Sequence, residues 1–144
     1  MHKLRKNIVW LASYPKSGNT WFRVFLSNLL SDSEESVNIN HLHPSRIASN
    51  RSIIDFYLGT QSSELIPDEI ERLRPEIYRF VSKESETDVF FKTHDAWELN
   101  ADGYPLFPEE VTKGVIYFIR NPLDVAVSFA FHNNTNFDKA IINM

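Results

Sequence analysis

The stretch from Ile8 to Leu30 constrains this chain more than any other. A continuous apolar run, Ile8-Val9-Trp10-Leu11-Ala12, enters a short polar turn, Tyr14-Pro15-Lys16-Ser17-Gly18-Asn19-Thr20, and an amphipathic pattern follows at once. The run is β-branched and aromatic with no polar alternation, as expected of a strand buried on both faces of a parallel sheet. From Thr20 to Ser31 the spacing predicts a helix. Trp21, Phe25 and Leu29 recur every four residues, Phe22, Leu26 and Leu30 repeat the spacing beside them, and both stripes are expected to pack on the sheet. Strand, loop and helix in that order leave the first helical amides without partners at the loop. The helix dipole adds positive potential there, so the turn is suited to an anion.

The rest of the chain repeats the alternation. Ser45 to Leu58 reads as one or two short helices. Pro67 to Ser85 holds helical spacing through Ile70, Leu73, Ile77 and Val81, with Asp68, Glu69 and Glu71 in its first turn and Pro75 expected to kink or restart it. Asp88 to His94 is a strand whose apolar half gives way to Lys92-Thr93-His94. Asn100 to Pro108 reads as an exposed loop. Gly114 to Ile119 is a third strand; Arg120-Asn121 turns the chain, and Pro122 opens a helix to about His132. A further helix is expected from Asp138. The pattern predicts an α/β fold, a parallel sheet of about three strands with flanking helices. Ligands of such sheets bind beyond the carboxyl ends of the strands, where this reading delivers Lys16, then Lys92 and His94, then Arg120.

Composition narrows the partners. In 144 residues, fifteen basic and nineteen acidic side chains give a net charge of −4, so no global basic field exists to hold nucleic acid and phosphate binding must be local. The absence of cysteine excludes disulfides and thiolate metal sites. The apolar run after the basic N-terminus is too short for a signal-peptide core, and no segment is long enough to span a bilayer. The expectation is one domain over residues 1–144, cytoplasmic, with no membrane partner.

Each chemical candidate has a plainer alternative. Set against G-x-x-x-x-G-K-[ST], Ser13 takes the first glycine position, Gly18 the second and Thr20 the hydroxyl position, but Asn19 stands where a nucleoside-triphosphate loop needs lysine. The lysine lies upstream at Lys16, which disfavours a nucleotide kinase or NTPase and suits a shorter phosphate-containing group. The alternative is an ordinary Pro-Gly turn. Lys92 and His94, two apart on a strand, leave the same face, and histidine titrates in the range useful to a general base. The alternative is a histidine satisfied by a loop carbonyl. Arg120 suits bidentate phosphate contact, with Ser128 two turns into the next helix; the alternative is an ion pair with Asp124. His41 and His43 have the look of two metal ligands but lack an acidic or thiolate cluster, so they read as solvated and no metal is expected.

Taken together, the three strand ends resemble those of the sulfotransferases that use 3′-phosphoadenosine-5′-phosphosulfate (PAPS). Tyr14 to Trp21 is similar to that family's 5′-phosphosulfate loop, Phe118 to Ser128 to its 3′-phosphate motif, and Phe91-Lys92-Thr93-His94 to the segment bearing its catalytic histidine. The resemblance implies that PAPS is the co-substrate. Lys16, Ser17, Gly18, Asn19 and Thr20 would hold the 5′-phosphosulfate, Trp21 would stack on adenine, and Arg120 and Ser128 would grip the 3′-phosphate. Lys16, Lys92 and His94 would be catalytic, with His94 taking the proton of a hydroxyl or amine acceptor. Asn19 departs from the family's common threonine. Family members are also considerably longer, and the resemblance covers an N-terminal half with no counterpart here for the Arg-Lys-Gly segment of the C-terminal half. Two expectations follow: a sulfotransferase, or a truncated, inactive phosphate-binding or interaction module with exposed core surface that favours self-association.

Overall fold

The computed structural model describes residues 4–33, 35–40, 42 and 45–144. Its elements in chain order are β1 (Ile8–Ser13), α1 (Asn19–Leu29), β2 (Ser45–Ile47), α2 (Arg51–Leu58), α3 (Pro67–Glu84), β3 (Val89–Thr93), β4 (Thr112–Phe118), α4 (Pro122–His132) and α5 (Phe137–Ile142). The strands form one parallel sheet in the order β2-β3-β1-β4. The α/β expectation therefore holds, with four strands rather than about three. Ser45–Ile47, read as helix from sequence, is a short edge strand. Three residues carry no usable period; this segment is extended because it pairs with β3, a pairing continued by the Ala48 amide on the Lys92 carbonyl at 2.9 Å.

The core lies between the sheet and α3. Trp10 of β1 meets Tyr78 edge-on at 4.8 Å and Phe107 at 4.7 Å, while Tyr78 meets Phe91 at 5.3 Å. Phe107 belongs to the segment expected to be an exposed loop. Instead Leu106, Phe107 and Pro108 are buried, because the connection dips under the sheet before β4. Pro75 does not restart α3, which runs as one helix of 18 residues with Pro75 buried inside it. The burial of its neighbours Arg74, Ile77 and Tyr78 outweighs the one backbone hydrogen bond a proline forfeits.

The inward face of α1 takes in only part of its hydrophobic stripes: Phe22 is half-buried against Phe118, rings 4.8 Å apart, and Leu26 is buried. Asn19, Arg23, Leu26 and Ser27 are buried, whereas Trp21, Phe25 and Leu29 are exposed. Hydrogen bonds set this rotation. Asn19 Nδ2 donates to the Leu11 carbonyl at 2.7 Å and to Ser13 Oγ at 3.2 Å, and Arg23 Nε donates to Ser45 Oγ at 2.7 Å. Trp21 and Phe25 stack on each other on the outer side, rings 6.2 Å apart.

Candidate functional site

All four strands run parallel, so the segments leaving β1, β3 and β4 meet at one edge of the sheet. The β1–α1 loop is shaped for this. Tyr14 accepts the Ser17 amide at 3.3 Å, Lys16 is left-handed at φ 67°, and Gly18 caps α1 at φ 99°, a conformation that favours glycine. No side chain caps α1 and no acid stands in its first turn, so its terminal amides and dipole face the loop uncompensated. Arg120 Nη1 donates to the Lys16 carbonyl at 2.9 Å, tying the end of β4 to the loop. That bond supports a lysine whose left-handed backbone costs on the order of 1 kcal/mol. The alternative pairing of Arg120 with Asp124 does not occur among the ion pairs of the described residues.

A cavity of about 600 Å³ opens at this edge, lined by Lys16, Gly18, Asn19, Thr20, Lys92, His94, Arg120 and Ser128, together with His132 and Asn133. Of the residues singled out from sequence, Ser17 instead lines a neighbouring hollow of about 310 Å³ that shares Arg120. Trp21 stands outside the cavity, 73% exposed. The Asn19 amide turns inward to β1, so that residue presents its backbone rather than its side chain to the loop. His41 and His43 lie outside the described residues. His132 was missed in the sequence; it follows Ser128 by four positions on α4, and helical spacing alone places the two on one face.

The cavity is electrostatically one-sided. Lys16, Lys92 and Arg120 line it beside no carboxylate, and none of the three is in an ion pair among the described residues. Burial, and then the charges of Arg23 and Lys16, pull the Lys92 ammonium below the ordinary lysine pKa. A pocket that keeps cations together at such a cost is suited to a multiply charged anion.

His94 forms the boundary with a second cavity of about 410 Å³, lined by Trp10, Tyr14, Trp97, Phe107, Val115 and Tyr117. Its Nδ1 lies 2.6 Å from the Ser13 carbonyl and 3.3 Å from Ser13 Oγ. A carbonyl can only accept, so the neutral ring carries its hydrogen on Nδ1 and keeps the Nε2 lone pair free of any bond to the described residues. The carbonyl-satisfied histidine and the general base, posed as alternatives from sequence, are thus compatible: one nitrogen is anchored and the other is available.

A family model described as a sulfotransferase domain matches residues 6–141. Luciferin sulfotransferase of Photinus pyralis is 29% identical over 142 residues, an alignment that takes in 90% of this chain and 34% of that protein. The chain therefore spans about a third of the length of the curated relative it matches. The matched span reaches from before β1 into α5, and the chain belongs to the sulfotransferase domain family.

Proposed function

We propose that the cationic cavity binds PAPS and that His94 mediates transfer of its sulfuryl group to the hydroxyl or amine of a small acceptor held in the aromatic cavity. One observation carries this reading: His94 is common to both cavities, with the cations and helix amides on one side and an apolar aromatic wall on the other. In this reading the α1 amides, Ser17, Gly18, Asn19, Thr20 and Lys16 hold the 5′-phosphosulfate, Arg120 and Ser128 hold the 3′-phosphate, and the exposed Trp21 indole offers a face to adenine. The acceptor oxygen or nitrogen attacks sulfur, its proton passes to His94 Nε2, and the S–O bond to the 5′-phosphate breaks. The electron pair leaves with the phosphate oxygen, where Lys16 and the amides meet the charge. Lys92 neutralises the sulfuryl oxygens. Preorganised cations and dipoles at that edge supply this stabilisation without reorganising. No helix among the described residues is long and apolar enough to cross a membrane.

The test is calorimetric titration of 3′-phosphoadenosine-5′-phosphate into the folded chain. Lys16→Ala and Arg120→Ala are each expected to weaken binding roughly ten- to hundredfold, the worth of a hydrogen bond to a charged group. No binding by a folded sample, or binding indifferent to both substitutions, overturns the proposal.

A second reading is favoured by the uncovered surface beside the site, where Tyr117, Ile119, Leu123 and Phe131 are exposed. It takes the chain as a phosphate-binding module without turnover. A sulfuryl-transfer assay over an acceptor panel separates the two. Turnover that falls by about a hundredfold or more in His94→Ala supports the enzyme; donor-product binding with no turnover supports the module.

A further inference from the structure

The residues on either side of His94 are tied to a buried charge that the proposed chemistry does not use. Arg74 of α3 is 5% exposed. Its Nε donates to the Tyr78 hydroxyl at 2.9 Å and its Nη2 pairs with Asp95 Oδ2. Thr93 Oγ1 donates to the same carboxylate oxygen at 2.9 Å and accepts the Asp95 amide at 3.1 Å. Thr93 and Asp95 therefore form a closed turn with His94 at its apex, and Arg74 anchors that turn to the core. Tyr78, which receives the other side of the guanidinium, is packed between Trp10, Phe91 and Phe107.

An ion pair whose guanidinium is buried and whose carboxylate is half-buried is a poor device for stability alone. Desolvation of its charges offsets most of the attraction, and an apolar pair of similar volume commonly serves as well. It does impose direction, because a guanidinium and a carboxylate meet in few geometries. Here the direction imposed is that of the turn. With Thr93 and Asp95 fixed from α3, the imidazole faces back across the sheet toward the Ser13 carbonyl, which its Nδ1 meets at 2.6 Å.

We infer that Arg74 and Asp95 are positioning residues for His94, holding the turn that keeps Nδ1 on the Ser13 carbonyl and Nε2 free at the junction of the two cavities. The geometric part stands on the hydrogen bonds; its consequence for rate rests on the sulfuryl-transfer reading. Asp95→Asn preserves shape and removes the charge, and Thr93→Val removes the hydroxyl that closes the turn without leaving a buried charge alone.

The experiment is long-range ¹H–¹⁵N spectroscopy of the histidine rings in the full chain, with the His94 signal assigned by its loss in His94→Gln. The unsubstituted chain is expected to show His94 as the Nδ1–H tautomer. Both variants are expected to lower the ratio of that tautomer to the other by roughly three- to tenfold, the equivalent of one hydrogen bond. Where turnover is measurable, kcat is expected to fall on the order of tenfold with the affinity for 3′-phosphoadenosine-5′-phosphate within about threefold of the unsubstituted chain. A purely structural role would lower thermal stability and leave the tautomer ratio of the folded fraction unchanged. An unchanged ratio in folded Asp95→Asn overturns the inference, and Thr93→Val decides it if Asp95→Asn does not fold. If the tautomer responds but the chain binds no 3′-phosphoadenosine-5′-phosphate, the positioning stands and the proposed function fails.

Discussion

Lys92 carries its charge where burial and two neighbouring cations oppose it, and none of the described carboxylates pairs with it. Its pKa in the folded state lies below its unfolded value, so the folded chain releases this proton more readily than the unfolded one. Stability from this group therefore improves as pH rises through the folded pKa toward the ordinary lysine range, and below that window the charged ammonium is a standing cost. Lys92→Met is expected to raise the melting temperature of the ligand-free chain at neutral pH by roughly 2–4 °C, as replacements of strained functional groups commonly do. The same variant should lose most of the further stabilisation that 3′-phosphoadenosine-5′-phosphate gives. Differential scanning fluorimetry with and without that ligand checks both; a melting temperature that falls in its absence contradicts the electrostatic account.

Helix α1 shows what hydrogen bonding does to a pattern of apolar residues. Its sequence offers two aromatic-aliphatic stripes, but the Asn19 and Arg23 contacts turn the Trp21, Phe25 and Leu29 stripe outward and leave Phe22 and Leu26 facing in. Leu26 is left 7% exposed, whereas Trp21, the larger side chain, is 73% exposed. Leu26→Ala is accordingly expected to destabilise the chain by about 2–5 kcal/mol, and Trp21→Ala by no more than about 0.5 kcal/mol, in urea unfolding. If Trp21 serves adenine as proposed, its removal should instead weaken 3′-phosphoadenosine-5′-phosphate binding by about 1–3 kcal/mol, the worth of a base on an aromatic face. Equal stability losses for the two variants would contradict the rotation of α1 seen here.

At the scale of the molecule, the sheet is covered unevenly. The α3 side is closed by Tyr78, Phe91 and Phe107, but β4 is an edge strand whose Val115, Ile116 and Tyr117 are exposed, and α4 and α5 add Phe131 and Ile142. An edge that is both open and apolar invites pairing with another chain. Concentration-dependent self-association is therefore expected in sedimentation, reduced by Val115→Lys together with Tyr117→Lys; a monomer at all accessible concentrations would contradict it.

The amino-acid sequence by itself determined the strand-loop-helix unit, the parallel α/β class and the meeting of Lys16, Lys92, His94 and Arg120 at one sheet edge. These follow from local apolar runs, from Gly and Pro at turns, and from the rule that parallel strands deliver their ends together. Only the tertiary structure decided the rest. β2 exists because β3 is beside it, not because three residues prefer to be extended. Phe107 is core because the loop before β4 passes under Trp10. The Ser13 carbonyl that orients His94 lies 81 positions away in the chain, and the Arg74 anchor reaches the same turn from 21 positions upstream. Contacts of that span leave no period in the sequence, since they depend on which elements the folded sheet makes neighbours.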